Sequence, residues 1–243
     1  MLYSGKDLRK LIIPLIIEQI LAIAVGMADT IMVSAAGEAA VSGVSLVDTV
    51  NILLINVFSA LATGGAVVSG HFLGKKKRED ACKSAWQILL FATLLACVIS
   101  VIFITAHDPL LRLMFGKIED DVMKASKTYL IITTYSFVAL AIYNSCAALF
   151  RAMNESKVTM WVSLLMNVIN VVGNAICIYG LHMGVAGVAI PTTISRYVAA
   201  VVIFLLMFQT KKEINLCGQI TWKFNGSLIK KILLYRRTER SGK

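Results

Sequence analysis

The chain has 243 residues, a net charge of +10, 58% apolar residues and only 16% charged ones. Soluble domains carry roughly 25% charged residues, so this composition and a mean hydropathy of +0.77 exclude a water-soluble globular protein. The positive charge falls between and after apolar stretches, which ties it to membrane orientation and leaves no call for a nucleic-acid partner. Six stretches, near 11–34, 43–70, 84–106, 123–149, 158–180 and 185–209, could each cross a hydrocarbon core of about 30 Å, which takes about 20 helical residues. The expected fold class is an all-α membrane protein with six transmembrane helices in residues 1–210. Residues 211–243 read as a cytoplasmic basic tail, with Trp222–Leu234 patterned as an amphipathic helix on lipid.

The opening MLYSGKDLRK runs straight into span one without a small-residue cleavage motif, so no cleavable leader is expected. Span one, LIIPLIIEQILAIAVGMADTIMVS, carries a proline and two acids. Pro14 removes a backbone hydrogen bond and favours a kink. Glu18 and Asp29 are eleven residues apart, about 20° around an ideal helix, so they share one stripe. Carboxylates are costly in hydrocarbon and face the bundle interior or a cavity. Asp29 could exchange a proton or hold a cation, or could cap a polar network near one end of the span.

Asp48, Asn51 and Asn56 make one half of span two polar, which points that half to a cavity. Its second half is rich in small residues, among them Ala62, Gly65, Ala66 and Gly70, as close helix packing requires. The 107–122 connection suits a short interfacial helix closed by Gly116. Span four presents Tyr129, Tyr135, Tyr143 and Asn144, a surface for bulky cationic ligands or an interfacial aromatic belt. In span five Asn170 and Asn174 lie four apart on one face, and fit either as partners of an acid across the bundle or as interhelical glue. Span six holds Thr192 after Pro191. One turn beyond comes Arg196, which needs an anionic partner or a route to the interface.

Of the 24 Lys and Arg residues, 19 lie before span one, around 75–83, around 151–157 or after residue 210. The positive-inside rule then puts both termini in the cytoplasm of a multi-pass cell-membrane protein. The five cysteines form no CxxC, and no His/Cys cluster has metal-ligand spacing. With no Walker loop, GxSxG or HExxH, neither an ATP-driven pump nor a protease is expected, so the chain does not read as an enzyme.

Several segments together carry a family likeness: Pro14 with Asp29-Thr-Ile-Met-Val, SALATGGAVVSGHFLGKKK at 59–77, ALFRAMNESK at 148–157 and GVAGVAIPTTIS at 184–195. From about Leu8 to Leu233 the chain resembles the N-terminal half of the multidrug and toxic compound extrusion (MATE) family. The resemblance implies one lobe of a twelve-helix secondary antiporter that exports amphipathic, cationic drugs in exchange for H⁺ or Na⁺, with no other cofactor. It implies a coupling cluster of Asp29, Asn170, Asn174 and Thr192, with Pro14 as hinge. Glu18, Asp48, Asn51, Tyr135, Tyr143 and Arg196 are cavity candidates. The family branch with this cluster has an aspartate where Asn174 stands, so one acid is missing here. The expected partners are small organic substrates, the lipid bilayer, and a missing second lobe or a second copy. The polar ending YRRTERSGK reads as a truncated frame. Two other readings are a lipid-linked precursor flippase of the same superfamily and a membrane fragment without transport activity.

Overall fold

The computed structural model describes residues 5–209 and 213–216, with side chains from Ile12 onward. Among the described residues every regular element is helical: α1 (Gly5–Ser34), α2 (Glu38–Gly74), α3 (Arg78–Thr105), α4 (His107–Phe115), α5 (Asp120–Thr134), α6 (Phe137–Ala152), α7 (Ser156–Ala175) and α8 (Ala186–Leu206). A π-helical turn, Ile176–Gly180, prolongs α7. Among the described residues five helices are long and apolar enough to span a bilayer, or six if α5 and α6, bent by 52° at their junction, count as one span. The lobe is thus an all-helical, multi-pass membrane bundle.

Helix α2 is the centre, packed on α3, α5 and α6, while α8 packs on α5, α6 and α7. Close approach depends on missing side chains. A Cβ on Gly43 would stand 2.6 Å from Ala125 Cβ and 2.8 Å from the Ser126 nitrogen, and one on Gly173 would stand 2.6 Å from Pro191 Cβ. The small residues of α2 work in the same way, with Ala62 and Ala66 joining Ala81, Ala85, Cys146 and Ala147 in a buried cluster. The predicted interfacial segment is α4, which ends at Gly116 with φ +66°. Lys127 ties α4 to α5 by donating to Asp108, and this bond holds the Asp108 carboxyl below its ordinary range.

Span four, expected as one helix, is broken at Tyr135–Ser136 with no proline or glycine at the site. Its own hydroxyls loosen the backbone: Thr133 donates to the Tyr129 carbonyl, Thr134 to Leu130 and Ser136 to Thr133. Neighbouring helices then close the gap. Thr193 donates to the Ile132 carbonyl at 3.1 Å, Tyr197 to Tyr135 at 2.8 Å and Ser100 to Thr134 at 3.4 Å.

Beyond residue 210, Ile214 and Leu216 are fully buried against α6 and α8, and the Leu216 N–H donates to the Met207 carbonyl. Apolar side chains here gain more from that core than from water. The amphipathic segment Trp222–Leu234 lies outside the described residues. Helix α1 runs unbroken through the buried Pro14, so proline inside the helix has not interrupted it.

Helix α1 stands apart from this core. Its outer face, including Ile13, Ile16, Ile20, Ile23, Met27 and Ile31, is more than half exposed, and it packs mainly on α7. Near Pro14 it is held by an ion pair, Arg151 Nη2 to Glu18 Oε1 at 2.8 Å, with Thr159 donating to the other carboxylate oxygen at 3.3 Å. Breaking one partner of such a part-buried pair strands the other charge. Arg151→Met should therefore lower the detergent unfolding temperature, by about 2 kcal/mol of stability, and the added Glu18→Gln change should recover part of the loss. Gly43→Ala should cost about 1–3 kcal/mol by overpacking α2 on α5, whereas Gly74→Ala, with open space around it, should not lower stability. Thermal unfolding of the purified variants checks both.

Candidate functional site

Asp29 lies in the half of α1 remote from Pro14, facing α7. Asn174 Nδ2 donates to Asp29 Oδ1 at 2.7 Å and to Asn170 Oδ1 at 3.3 Å. Asn170 Nδ2 in turn donates to Thr192 Oγ1 at 2.8 Å, and Thr192 donates to the Val188 carbonyl at 2.8 Å. The four residues drawn from the family resemblance therefore form one connected network that branches at Asn174. Its donors are all neutral: Asp29 accepts from Asn174, while Asn170 and Thr192 donate onward to the Val188 carbonyl. The helical spacing of Asn170 and Asn174 aligns both amides along the seam between α1 and α8. Pro191 at Gly173 draws α7 and α8 close enough for Thr192 to reach them. Asn174 Oδ1 is buried without a partner, an acceptor left over beside the carboxylate.

Glu18 shares the inward stripe of α1 with Asp29 but belongs to a separate cluster. Tyr143 joins it at 3.4 Å, alongside Arg151 and Thr159. Eleven residues of helix put about 16 Å between the two acids along α1. Asp48 forms a third group: Asn51 Nδ2 donates to its Oδ1 at 3.2 Å and the buried Tyr129 hydroxyl at 3.0 Å. Asn56, by contrast, is exposed and takes no part, because it sits off the face that carries Asp48 and Asn51.

The break in span four scatters the tyrosines that sequence order groups together. Tyr129 is buried at Asp48, Tyr143 is buried at Glu18, and Tyr135 is 55% exposed with its carbonyl held by Tyr197. Among the described residues Arg196 has no ion pair. Its Nη1 donates to Ser136 Oγ at 2.8 Å, and it lies close enough to Asp29 and Asp48 to act on both through space. Ser136, Arg151 and Thr159 were not singled out from the sequence. The run Thr133-Thr134-Tyr135-Ser136 inside an apolar span was the available signal for Ser136, since such hydroxyls compete with helical bonding.

At the end of the lobe away from Lys75–Lys77, a cleft of about 990 Å³ opens between α2 and the segment before α5. Ser42, Ser45, Thr49, Lys117 and Glu119 line it, and none of the candidate residues does.

Comparisons with known proteins agree with this architecture. The chain is 31% identical over 199 residues to "Uncharacterized transporter YisQ" of Bacillus subtilis, covering 80% of this chain and 43% of that protein. It is 27% identical over 214 residues to "Probable multidrug resistance protein NorM" of Thermotoga maritima, covering 85% and 45%. It thus spans less than half the length of these relatives. A solved outward-facing multidrug resistance MATE family transporter of the MOP superfamily superimposes with a TM-score of 0.84 at 24% identity, over 94% of this chain and 50% of that one, a likeness of fold. The family model described as MatE matches residues 14–176, about two thirds of the sequence, and the chain belongs to the MatE family of transporters.

Proposed function

We propose that the chain forms the N-terminal lobe of a secondary antiporter that exports amphipathic cationic compounds across the cell membrane in exchange for H⁺ or Na⁺. It works without a further cofactor and without covalent chemistry. The lysine-rich end and both termini face the cytoplasm, as the distribution of basic residues favours. A second six-helix lobe completes the transporter. The observation that carries this reading is the Asp29 carboxylate held by the neutral amide of Asn174, which also binds it into the Asn170–Thr192 network.

That arrangement supports ion exchange for a simple electrostatic reason. Among the described residues Asp29 accepts a hydrogen bond at Oδ1 alone, so the carboxylate can take a proton or a small cation without first giving up a charged protein partner. The unpaired Asn174 Oδ1 offers a second oxygen at the same place. An organic cation and the coupling ion would then compete for one negative charge, which is the thermodynamic requirement for antiport. Neutralising Asp29 also weakens its bond from Asn174, since hydrogen bonds to charged groups are the stronger ones. Helix α1, packed mainly on α7, can then move, with Pro14 as the place where it bends. The carboxylates Asp29 and Asp48 outnumber Arg196 in this interior, which favours cations over the anionic precursors a flippase would carry.

In the complete two-lobe transporter, Asp29→Asn should reduce ethidium efflux to the level of cells lacking the transporter while membrane abundance stays unchanged. Efflux like that of the unaltered protein would remove Asp29 from the mechanism. Imposing a Na⁺ gradient or a pH gradient separately on proteoliposomes would identify the coupling ion.

A further inference from the structure

The buried face of α7 is polar from one end to the other. Apart from Val162, its buried residues are Ser156, Thr159, Ser163, Asn167, Asn170 and Asn174, recurring at steps of three and four. Each is more than nine-tenths buried, while Trp161, Val168 and Val172 on the other side of the helix are more than half exposed. From Ser156 to Asn174 the stripe covers about 27 Å of helix, close to the thickness of the hydrocarbon. Helix α7 is also the main packing partner of α1, so the stripe lies along the seam between them.

The seam joins the two acids of α1. At one end Asn174 donates to Asp29. At the other, Thr159 donates to Glu18 Oε2, and Tyr143 donates to Glu18 Oε1 and is hydrogen-bonded to Ser163. Between the acids α1 offers only apolar cover, with Leu21 and Val25 half-buried. Polar groups that merely hold helices together find partners in one another. Here Asn174 Oδ1, Asn167 Nδ2, Ser156 Oγ and the neighbouring Arg151 Nε are all buried without a partner among the described residues. Water is the group that satisfies such atoms, and side chains one turn apart stand about 5–6 Å from each other, the span of one bridging water.

Building on the exporter reading above, we propose that the α1–α7 seam is the proton-release path of the lobe, in which a file of waters held by the α7 stripe carries a proton from Asp29 past Glu18 to the lysine-rich side at Ser156. Each water or hydroxyl on the way takes up one proton and gives up another, and the amides orient the waters. Asp29 is left ionised, Glu18 is protonated only in passing because Arg151 pairs with its carboxylate, and the proton ends on water beyond Ser156. The other titratable groups facing the seam are Tyr143 and Arg151 of α6, while Asp48 of α2 and Arg196 of α8 act on Asp29 through space. Leu21 and Val25 interrupt or admit the file as α1 moves. Two helices in contact leave no room for a hydrated Na⁺, so the coupling ion is H⁺. Were the stripe only adhesive, its loss would slow every mode of transport alike.

The complete two-lobe transporter in liposomes separates the two roles. Ethidium movement driven by a pH gradient needs net proton passage, whereas exchange of ethidium for ethidium without a gradient does not. Asn167→Leu and Ser163→Val should slow the driven movement about tenfold, on the scale of coupling between sites, and leave exchange unchanged. Asn167→Ser, which keeps a polar group and room for water, should retain most of the driven rate. Equal slowing of both modes would reduce the stripe to packing, and an unslowed Asn167→Leu would send the proton by another route. Either result, or driving by a Na⁺ gradient alone, would overturn the path and leave the exporter reading standing. An unaltered transporter that neither drives nor exchanges ethidium would count against both.

Discussion

A carbonyl released inside hydrocarbon has no water to turn to, and the break in span four releases several at once. The bundle answers with side chains from two other helices. Ser100 of α3 reaches the Thr134 carbonyl, while Thr193 and Tyr197 of α8 reach Ile132 and Tyr135. Satisfying these groups sets both the rotation and the height of α8. The rest of the interior follows from that setting, because α8 also carries Thr192 and Arg196. One side of the helix closes the break; an adjoining side completes the polar network that holds Asp29.

The charged groups of the interior are stabilised by neutral donors more than by one another. Asp29 and Asp48 each concentrate their contacts on a single oxygen, and Arg196 relies on a serine hydroxyl. Among the described residues of the interior only Glu18 and Arg151 form a direct ion pair, and it lies in the other half of α1, next to Pro14. Direct pairing suits a fixed joint, since separating two desolvated charges is expensive. Neutral solvation suits a site that must exchange its partner, since nothing charged has to be displaced first.

Much of this was legible in the sequence because the bilayer imposes a coarse rule on composition. Length and hydropathy marked the spans, and the stripe shared by Glu18 and Asp29 followed from helical period alone. The spacing of Asn170 and Asn174 put them on one face, though only three-dimensional packing revealed Asp29 and Thr192 at its two ends. The break at Tyr135–Ser136 was not legible. No glycine or proline marks it, and hydroxyl back-bonding is also tolerated in straight helices. Missing the break also misplaced the tyrosines, since a bend of 52° sends Tyr129, Tyr135 and Tyr143 to different surroundings. The burial of Ile214 and Leu216 was hidden by their short, polar-flanked context, which reads as a tail by composition.

The polar attachment of α1 gives it the mechanics of a lever. Its polar contacts with the bundle gather at two points about 16 Å apart along the helix axis, one built on the Glu18–Arg151 ion pair and the other the amide-to-carboxylate bond at Asp29. If the second lets go while the first holds, Glu18 becomes the fulcrum. A tilt of about 10° about that point carries the far contact through about 3 Å, more than enough to part a hydrogen bond. On the proposed mechanism, gain or loss of one elementary charge at the end of the arm would be converted into displacement of an entire membrane helix.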